Sequence, residues 1–151
     1  MTNEELKIRF TELFPAAILE EGGEWNNFSI PSMEWKPVAR QLRSTPGLDF
    51  DFLFCVTCVD WKTHLTMVYH LTSTIHRHSL VIKAKLDRMK PEIETVSDIW
   101  RTAEFHEREQ YELFGVIFLN HPDLRRLLLT DDFVGFPLRK DFEDPVNMIK
   151  L

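Results

Sequence analysis

Cys55-Val56-Thr57-Cys58 has the spacing of redox pairs and metal sites, and His106-Glu107-Arg108-Glu109-Gln110 begins like the HExxH helix of zinc hydrolases. Neither motif completes its chemistry. The cysteines fall in the most apolar, β-branched stretch of the chain, and on a strand positions i and i+3 point to opposite faces. Two thiols placed so cannot converge on a metal or close a disulfide, and the expectation is buried structural cysteines. In the second motif Gln110 stands where the second imidazole is needed, which argues against a free-standing metal hydrolase built on His106 and Glu107. His64, His70, His76 and His78 lie on or beside strands and turns. Nothing there fixes a four-ligand geometry, so surface or hydrogen-bonded histidines are expected.

The charge of the stretch from Ala103 to Phe114 is more informative. Glu104, Arg108 and Glu112 recur every four residues, so one guanidinium can bridge two carboxylates along an exposed helical ladder. Glu107, Tyr111 and Phe114 form the neighbouring stripe, with a carboxylate where an apolar residue is expected. Such a carboxylate needs a partner, either Arg125, Arg126 or Arg139 of this chain or a group on another protein. The five glycines are scattered and make no phosphate loop. No serine nucleophile elbow or paired-carboxylate constellation is present.

These residues need elements to hold them. Thr2 and Glu5 have capping-box spacing, and Leu6, Phe10, Leu13 and Phe14 mark an amphipathic helix ended by Pro15. Trp25, Phe28 and Ile30 suggest a brief strand. A second helix starts near Met33 to Trp35 and carries Val38, Ala39 and Leu42, with Pro37 tolerated in its first turn. The run from Phe50 to Trp61 is apolar on both alternating faces, as in a central strand covered on both sides, with Phe50, Phe52, Phe54 and Val56 on one face and Leu53, Cys55, Thr57 and Val59 on the other. Lys62-Thr63-His64 turns it into an antiparallel partner over Leu65 to Thr72, and Leu80 to Leu86 adds a half-exposed strand. Thr95 or Ser97 can cap a helical stretch through Trp100 that continues to Phe114 and stops at Gly115. Val116-Ile117-Phe118 is extended, Asn120 is a plausible cap, and Pro122 can open a helix through Leu129. Beyond Thr130 neither period persists. The expected class is α+β: a mixed or antiparallel sheet of about four strands flanked by helices, as a single domain over 1–130, with an aperiodic, extended C-terminal docking arm over 131–151 anchored in part by Arg–carboxylate pairs.

Composition bounds the function. The 151 residues carry 18 Lys and Arg against 24 Asp and Glu, a formal charge of −6, with no basic cluster that could track a phosphate backbone. Autonomous nucleic-acid binding is therefore disfavoured. No apolar run approaches the roughly 20 residues of a membrane span, and no signal-peptide core follows the acidic first turn. Two cysteines fall short of the four thiolates of a typical iron–sulfur cluster.

Glu107-Arg108-Glu109-Gln110-Tyr111-Glu112-Leu113-Phe114-Gly115, followed by His121-Pro122-Asp123-Leu124-Arg125-Arg126-Leu127-Leu128, resembles the family of C-type subunits of proton-translocating NADH:quinone oxidoreductase (NADH dehydrogenase), respiratory complex I. Val56-Thr57-Cys58-Val59-Asp60-Trp61, Val68-Tyr69-His70-Leu71 and Gly135-Phe136-Pro137-Leu138-Arg139-Lys140-Asp141-Phe142 fit the same family, so the likeness covers roughly 52–142. It departs at Asn120, where members often have Gly, and the chain ends ten residues after Asp141. The resemblance implies a non-catalytic peripheral-arm subunit of an enzyme complex. It would hold no cofactor or metal, while FMN, iron–sulfur clusters and quinone sit in neighbouring subunits. Its implied partners are the large quinone-site subunit, of the D type, and the cluster-bearing subunits, and it meets the membrane only through the complex. By the same resemblance Glu107, Arg108, Glu109, Tyr111, Glu112, His121, Pro122, Arg125, Arg126, Arg139, Lys140 and Asp141 are structural or interface residues. The cytoplasmic side of a bacterial inner membrane is the expected location, with an organelle-encoded chain as alternative. The homologous subunit of a membrane-bound NiFe hydrogenase, formate hydrogenlyase or ferredoxin-type relative is the rival reading.

Overall fold

A computed structural model describes residues 2–146. Helix α1 (Asn3–Leu13) starts at the expected capping box, with Thr2 accepting from the Glu5 N–H and Glu5 accepting from the Thr2 N–H. Strands β1 (Ile18–Glu20) and β2 (Asn26–Pro31) form an antiparallel pair. A 3-10 turn over Ser32–Glu34 leads into α2 (Trp35–Ser44), which buries Trp35, Val38, Ala39 and Leu42. Strands β3 (Phe52–Asp60), β4 (Leu65–Ser73) and β5 (His78–Leu86) follow as a meander. Then come β6 (Glu92–Glu94), α3 (Ala103–Phe114) and β7 (Ile117–Leu119).

The main sheet has the order β1-β2-β5-β4-β3, with β2 parallel to β5 and the other pairs antiparallel. The class is α+β, with five strands in place of about four; β1 carries too short a pattern to be read from sequence. A separate parallel pair, β6 with β7, flanks it. The core contains Phe10, Phe28, Trp35, Leu42, Phe50, Leu53, Tyr69, Leu71, Ile82 and Trp100, all buried. Each such aliphatic or aromatic side chain contributes about 1.5–3 kcal/mol on burial.

Three local expectations are corrected. First, β3 is an edge strand and is not covered on both faces. A register shift between Leu53 and Cys55 brings Leu53 to the face of Val56, Cys58 and Asp60, leaving Phe52 exposed and Phe54, Cys55, Thr57 and Val59 half-buried. Apolar composition misled here because the bulge changes the alternation. Secondly, residues 95–102 form turns and no helix. Thr95 turns its hydroxyl to Glu107 and Ser97 in place of capping a helix. Thirdly, residues 121–130 form no helix, because their backbone groups bond to side chains of α3.

Among the described residues no helix is long and apolar enough to cross a membrane.

Candidate functional site

The edge position of β3 determines how α3 sits. The carbonyl oxygens of Phe50, Leu53 and Val56 receive the Trp100 indole N–H (2.8 Å), the Thr102 hydroxyl (2.7 Å) and the Gln110 amide (3.2 Å). An edge covered in this way offers no free carbonyls at these positions to another strand. Gln110, the residue that breaks the zinc-hydrolase pattern, is thus part of the attachment of α3.

From that helix two charged side chains hold the following segment. Arg108, 5% exposed, donates from Nε to the Arg125 carbonyl (3.0 Å) and from a terminal nitrogen to the Arg126 carbonyl (2.9 Å). Its guanidinium also lies 5.5 Å from the Phe105 ring centroid. One turn on, Glu112, 3% exposed, accepts the N–H groups of Leu127, Leu128 and Leu129 at 2.8–3.0 Å. Three successive N–H groups around a carboxylate make an anion nest, here filled by the protein's own side chain. The expected exposed ladder Glu104–Arg108–Glu112 is therefore corrected: the guanidinium and second carboxylate face inward and serve the backbone. The sequence spacing was right, but burial changed the partners.

His121 accepts from the Asp123 N–H through Nδ1 and reaches the Glu104 carbonyl through Nε2, both at 3.0 Å, which requires the proton on Nε2 in the neutral ring. Asn120 adopts the left-handed conformation, φ 64°, that its residue type tolerates. Arg125 is exposed and pairs with Asp123, while Arg126 donates to the Phe133 carbonyl (2.8 Å) and to the Thr130 carbonyl. Pro122 is exposed, and Tyr111 packs half-buried against the core.

Of the arm expected over 131–151, residues 147–151 lie outside the described residues, and residues 131–146 contain neither helix nor strand. Their attachment is polar. Leu138 N–H bonds to the Leu113 carbonyl (3.1 Å), and Arg139 Nε to the Phe114 carbonyl (2.7 Å), so the arm satisfies carbonyls left free at the end of α3. Phe136 lies on Gly115, where a Cβ would come within 2.7 Å of the ring. The Lys140 N–H bonds to Asp60 (2.8 Å), whose carboxylate also accepts from Arg88 and from the Lys62 N–H (2.7 Å). Arg88 in turn meets Asp141 at 3.2 Å. Burial alone would raise the Asp60 carboxyl, but these donors outweigh it and hold it down at about 2. Asp60 and Arg88 were not singled out from sequence. The signal for Asp60 was a carboxylate ending an otherwise apolar strand.

Glu107 stands apart from all the arginines proposed for it. It is 0% exposed, accepts from the Thr95 hydroxyl (2.6 Å), and has the Val96 N–H at 3.4 Å. Burial pushes its carboxyl up to about 8 despite those bonds. Arg125, Arg126 and Arg139 are committed elsewhere, as described. Glu109 is half-buried and, after burial itself, helps raise the Cys55 thiol.

Cys55 and Cys58 are free, lie opposite His70 and Met67 of β4, and so face opposite sides of the sheet. Burial pushes the Cys58 thiol up to about 12, far from a reactive thiolate. The histidines separate by role: His64 bonds to Thr63, His76 to Asp49, and His78 to the Leu48 carbonyl, while His70 packs between Phe54 and Trp25. Among the described residues no three His, Cys, Asp or Glu side chains converge as metal ligands would.

Inward charges of α3, Asp60 and Arg88 thus fix a segment that leaves Leu128, Val134 and Leu138 exposed at 69%, 87% and 54%.

Residues 28–146 match the family model described as respiratory-chain NADH dehydrogenase, 30 Kd subunit. The chain is 46% identical over 112 residues to the C/D subunit of NADH-quinone oxidoreductase from Phocaeicola vulgatus, covering 73% of this chain and 22% of that much longer relative. It is 39% identical to the C-type subunit of the same kind of enzyme from Moorella thermoacetica, over 86% of this chain and 88% of that one. Among solved structures, a chain of the membrane-bound sulfane sulfur reductase, an archaeal respiratory membrane complex, superposes with a TM-score of 0.80 at 28% identity, over 93% of this chain and 85% of the other. On the length of the family match and the near-full-length likeness to the Moorella thermoacetica protein, this chain belongs to the respiratory-chain NADH dehydrogenase 30 Kd subunit family.

Proposed function

We propose that the chain is a non-catalytic structural subunit in the peripheral arm of an NADH:quinone oxidoreductase, where it positions the quinone-reducing module. The observation that carries this reading is the 121–142 segment. Its backbone is bound to α3 and Asp60, while apolar side chains at Leu128, Val134 and Leu138 face outward. A protein that fixes a segment through polar main-chain bonds and leaves its hydrophobic side chains exposed has built a surface for another protein. The partners in this reading are the large quinone-site subunit and the cluster-bearing subunits, which hold the FMN, iron–sulfur clusters and quinone. Divergent cysteines with raised thiols support a chain without a cluster of its own. Membrane attachment would come through the assembly, on the cytoplasmic face in a bacterium. The signature residues Glu107, Arg108, Glu109, Tyr111, Glu112, His121, Pro122, Arg125, Arg126, Arg139, Lys140 and Asp141 then divide into those that hold the frame and those that meet partners.

A second reading keeps the role and changes the complex. The likeness to a chain of the sulfane sulfur reductase, another respiratory membrane complex, supports a module shared between different assemblies, and a membrane-bound NiFe hydrogenase is the rival complex. Purification of the native assembly through a tag on this chain separates the two. Flavin- and quinone-linked subunits support the first, and a large subunit with a NiFe-cysteine centre supports the second.

A further inference from the structure

The buried carboxyl of Glu107 takes no part in holding 121–142, and no ion pair reaches it among the described residues. The groups facing it come from four elements. Lys36 of α2 lies nearby but directs its ammonium to the Thr95 carbonyl and to Asp98, both in the turn after β6. Tyr69 of β4 is fully buried within electrostatic reach, and Cys58 of β3 lies beside Tyr69. The Tyr69 hydroxyl and the Trp35 indole N–H are buried beside one another, and the indole acts on Tyr69 as a hydrogen-bonding neighbour. The buried carboxyl has one short hydrogen bond, to Thr95 Oγ1 at 2.6 Å, and the longer contact of the Val96 N–H at 3.4 Å.

That hydroxyl is also the link outward. Thr95 Oγ1 lies 2.8 Å from Ser97 Oγ and accepts the Ser97 N–H at 3.1 Å, and Ser97 is half-buried where Glu107 and Thr95 are buried. The heavy atoms suit either charge state. With Glu107 ionised, Ser97 donates to Thr95 and Thr95 to the carboxylate. With Glu107 neutral, its hydroxyl donates to Thr95 and Thr95 to Ser97. Reversing both hydroxyls converts one arrangement into the other without moving a heavy atom.

We propose that Glu107 is an internal proton-binding site that exchanges with solvent along the chain Glu107–Thr95–Ser97. On release, the carboxyl proton passes to Thr95 Oγ1 as the proton of Thr95 passes to Ser97 Oγ, and the Ser97 proton leaves to solvent water. Both hydroxyls end neutral, and one proton has moved from the core to bulk. The site works near neutrality because burial pushes the Glu107 carboxyl up to about 8. This holds for the chain whether or not it assembles with other subunits.

Infrared difference spectroscopy of the full chain tests it through the carbonyl stretch of a protonated carboxyl. The expected result is a band present below neutral pH, lost on titration towards alkaline pH, and missing in Glu107→Gln. In Thr95→Val the band remains, but its deuterium exchange must await local opening and slows by roughly tenfold or more. Should Glu107→Gln fail to fold, carbon NMR of labelled glutamate in the unaltered chain reads the same titration. A single carboxyl titrating above neutrality supports the site. Every glutamate titrating at ordinary acidic values overturns it, as does Thr95→Val exchanging as fast as the unaltered chain.

Discussion

Glu112 accepts the Leu128 N–H on both carboxylate oxygens, at 2.8 and 3.0 Å. This bond, with those to Leu127 and Leu129, makes a side chain of one element the hydrogen-bond partner of another element's backbone. Residues 125–129 need no helix of their own, because Arg108 takes two of their carbonyls and Glu112 three of their N–H groups.

Glu112→Ala should therefore destabilise the fold by about 1–3 kcal/mol for each N–H left dry. Glu112→Gln should rescue much of this, since one carbonyl oxygen can take the place of Oε2, which accepts all three N–H groups, and only the second Leu128 bond and the charge are lost. Urea unfolding of the two variants measures both effects.

Gly115 is required twice. Its φ of 78° costs a residue with a Cβ about 1–2 kcal/mol, and a Cβ there would lie 2.7 Å from the Phe136 ring. Gly115→Ala should lower stability and loosen residues 136–139 together. Hydrogen exchange at the Leu138 N–H, bonded to the Leu113 carbonyl, reads the second effect.

Much of the main fold was legible in the sequence because its signals are local. The Thr2–Glu5 box, the turn at Lys62-Thr63-His64, the β4 alternation and the Gly115 stop each depend on neighbouring residues. The misses share a non-local cause. The helix expected from Pro122 gave way to bonds with Arg108 and Glu112, and the cap expected at Thr95 gave way to Glu107. The bulge after Leu53 moved the β3 faces, which no count of apolar residues could register. In the site, the i, i+4 spacing of Arg108 and Glu112 was visible, but their inward direction was not.

Glu107 makes stability depend on pH near neutrality. Its carboxyl is raised from 4.5 to about 8 by burial, so the folded chain holds a proton that the unfolded chain has lost. The favourable term is fully present below 4.5 and is lost as pH rises towards about 8. Glu107→Gln should remove this slope and gain stability relative to the unaltered chain as pH rises across that window. Paired denaturation curves at several pH values give the slope directly.

Asp60 acts on the acid side. Held at about 2 against an ordinary 3.8, it contributes stability above 3.8 that is lost as pH falls through about 2. Asp60→Asn should remove that acid-side loss and lower stability at neutral pH, since Arg88 would keep only the exposed Asp141 as a carboxylate partner. The Lys140 N–H should lose protection in the same variant.

In the proposed function this chain positions other subunits through a segment fixed by α3 and Asp60. Arg139 joins that segment to the Phe114 carbonyl, so Arg139→Ala should release it while leaving the core intact. The most direct measurement is the set of proteins in the native assembly purified through a tag on this chain, beside the same purification with Arg139→Ala. The unaltered chain should bring down the large quinone-site and cluster-bearing subunits of an NADH:quinone oxidoreductase, and the variant markedly less of them. A chain recovered without those subunits would contradict the proposed function, as would a variant that assembles in full yet loses quinone reduction.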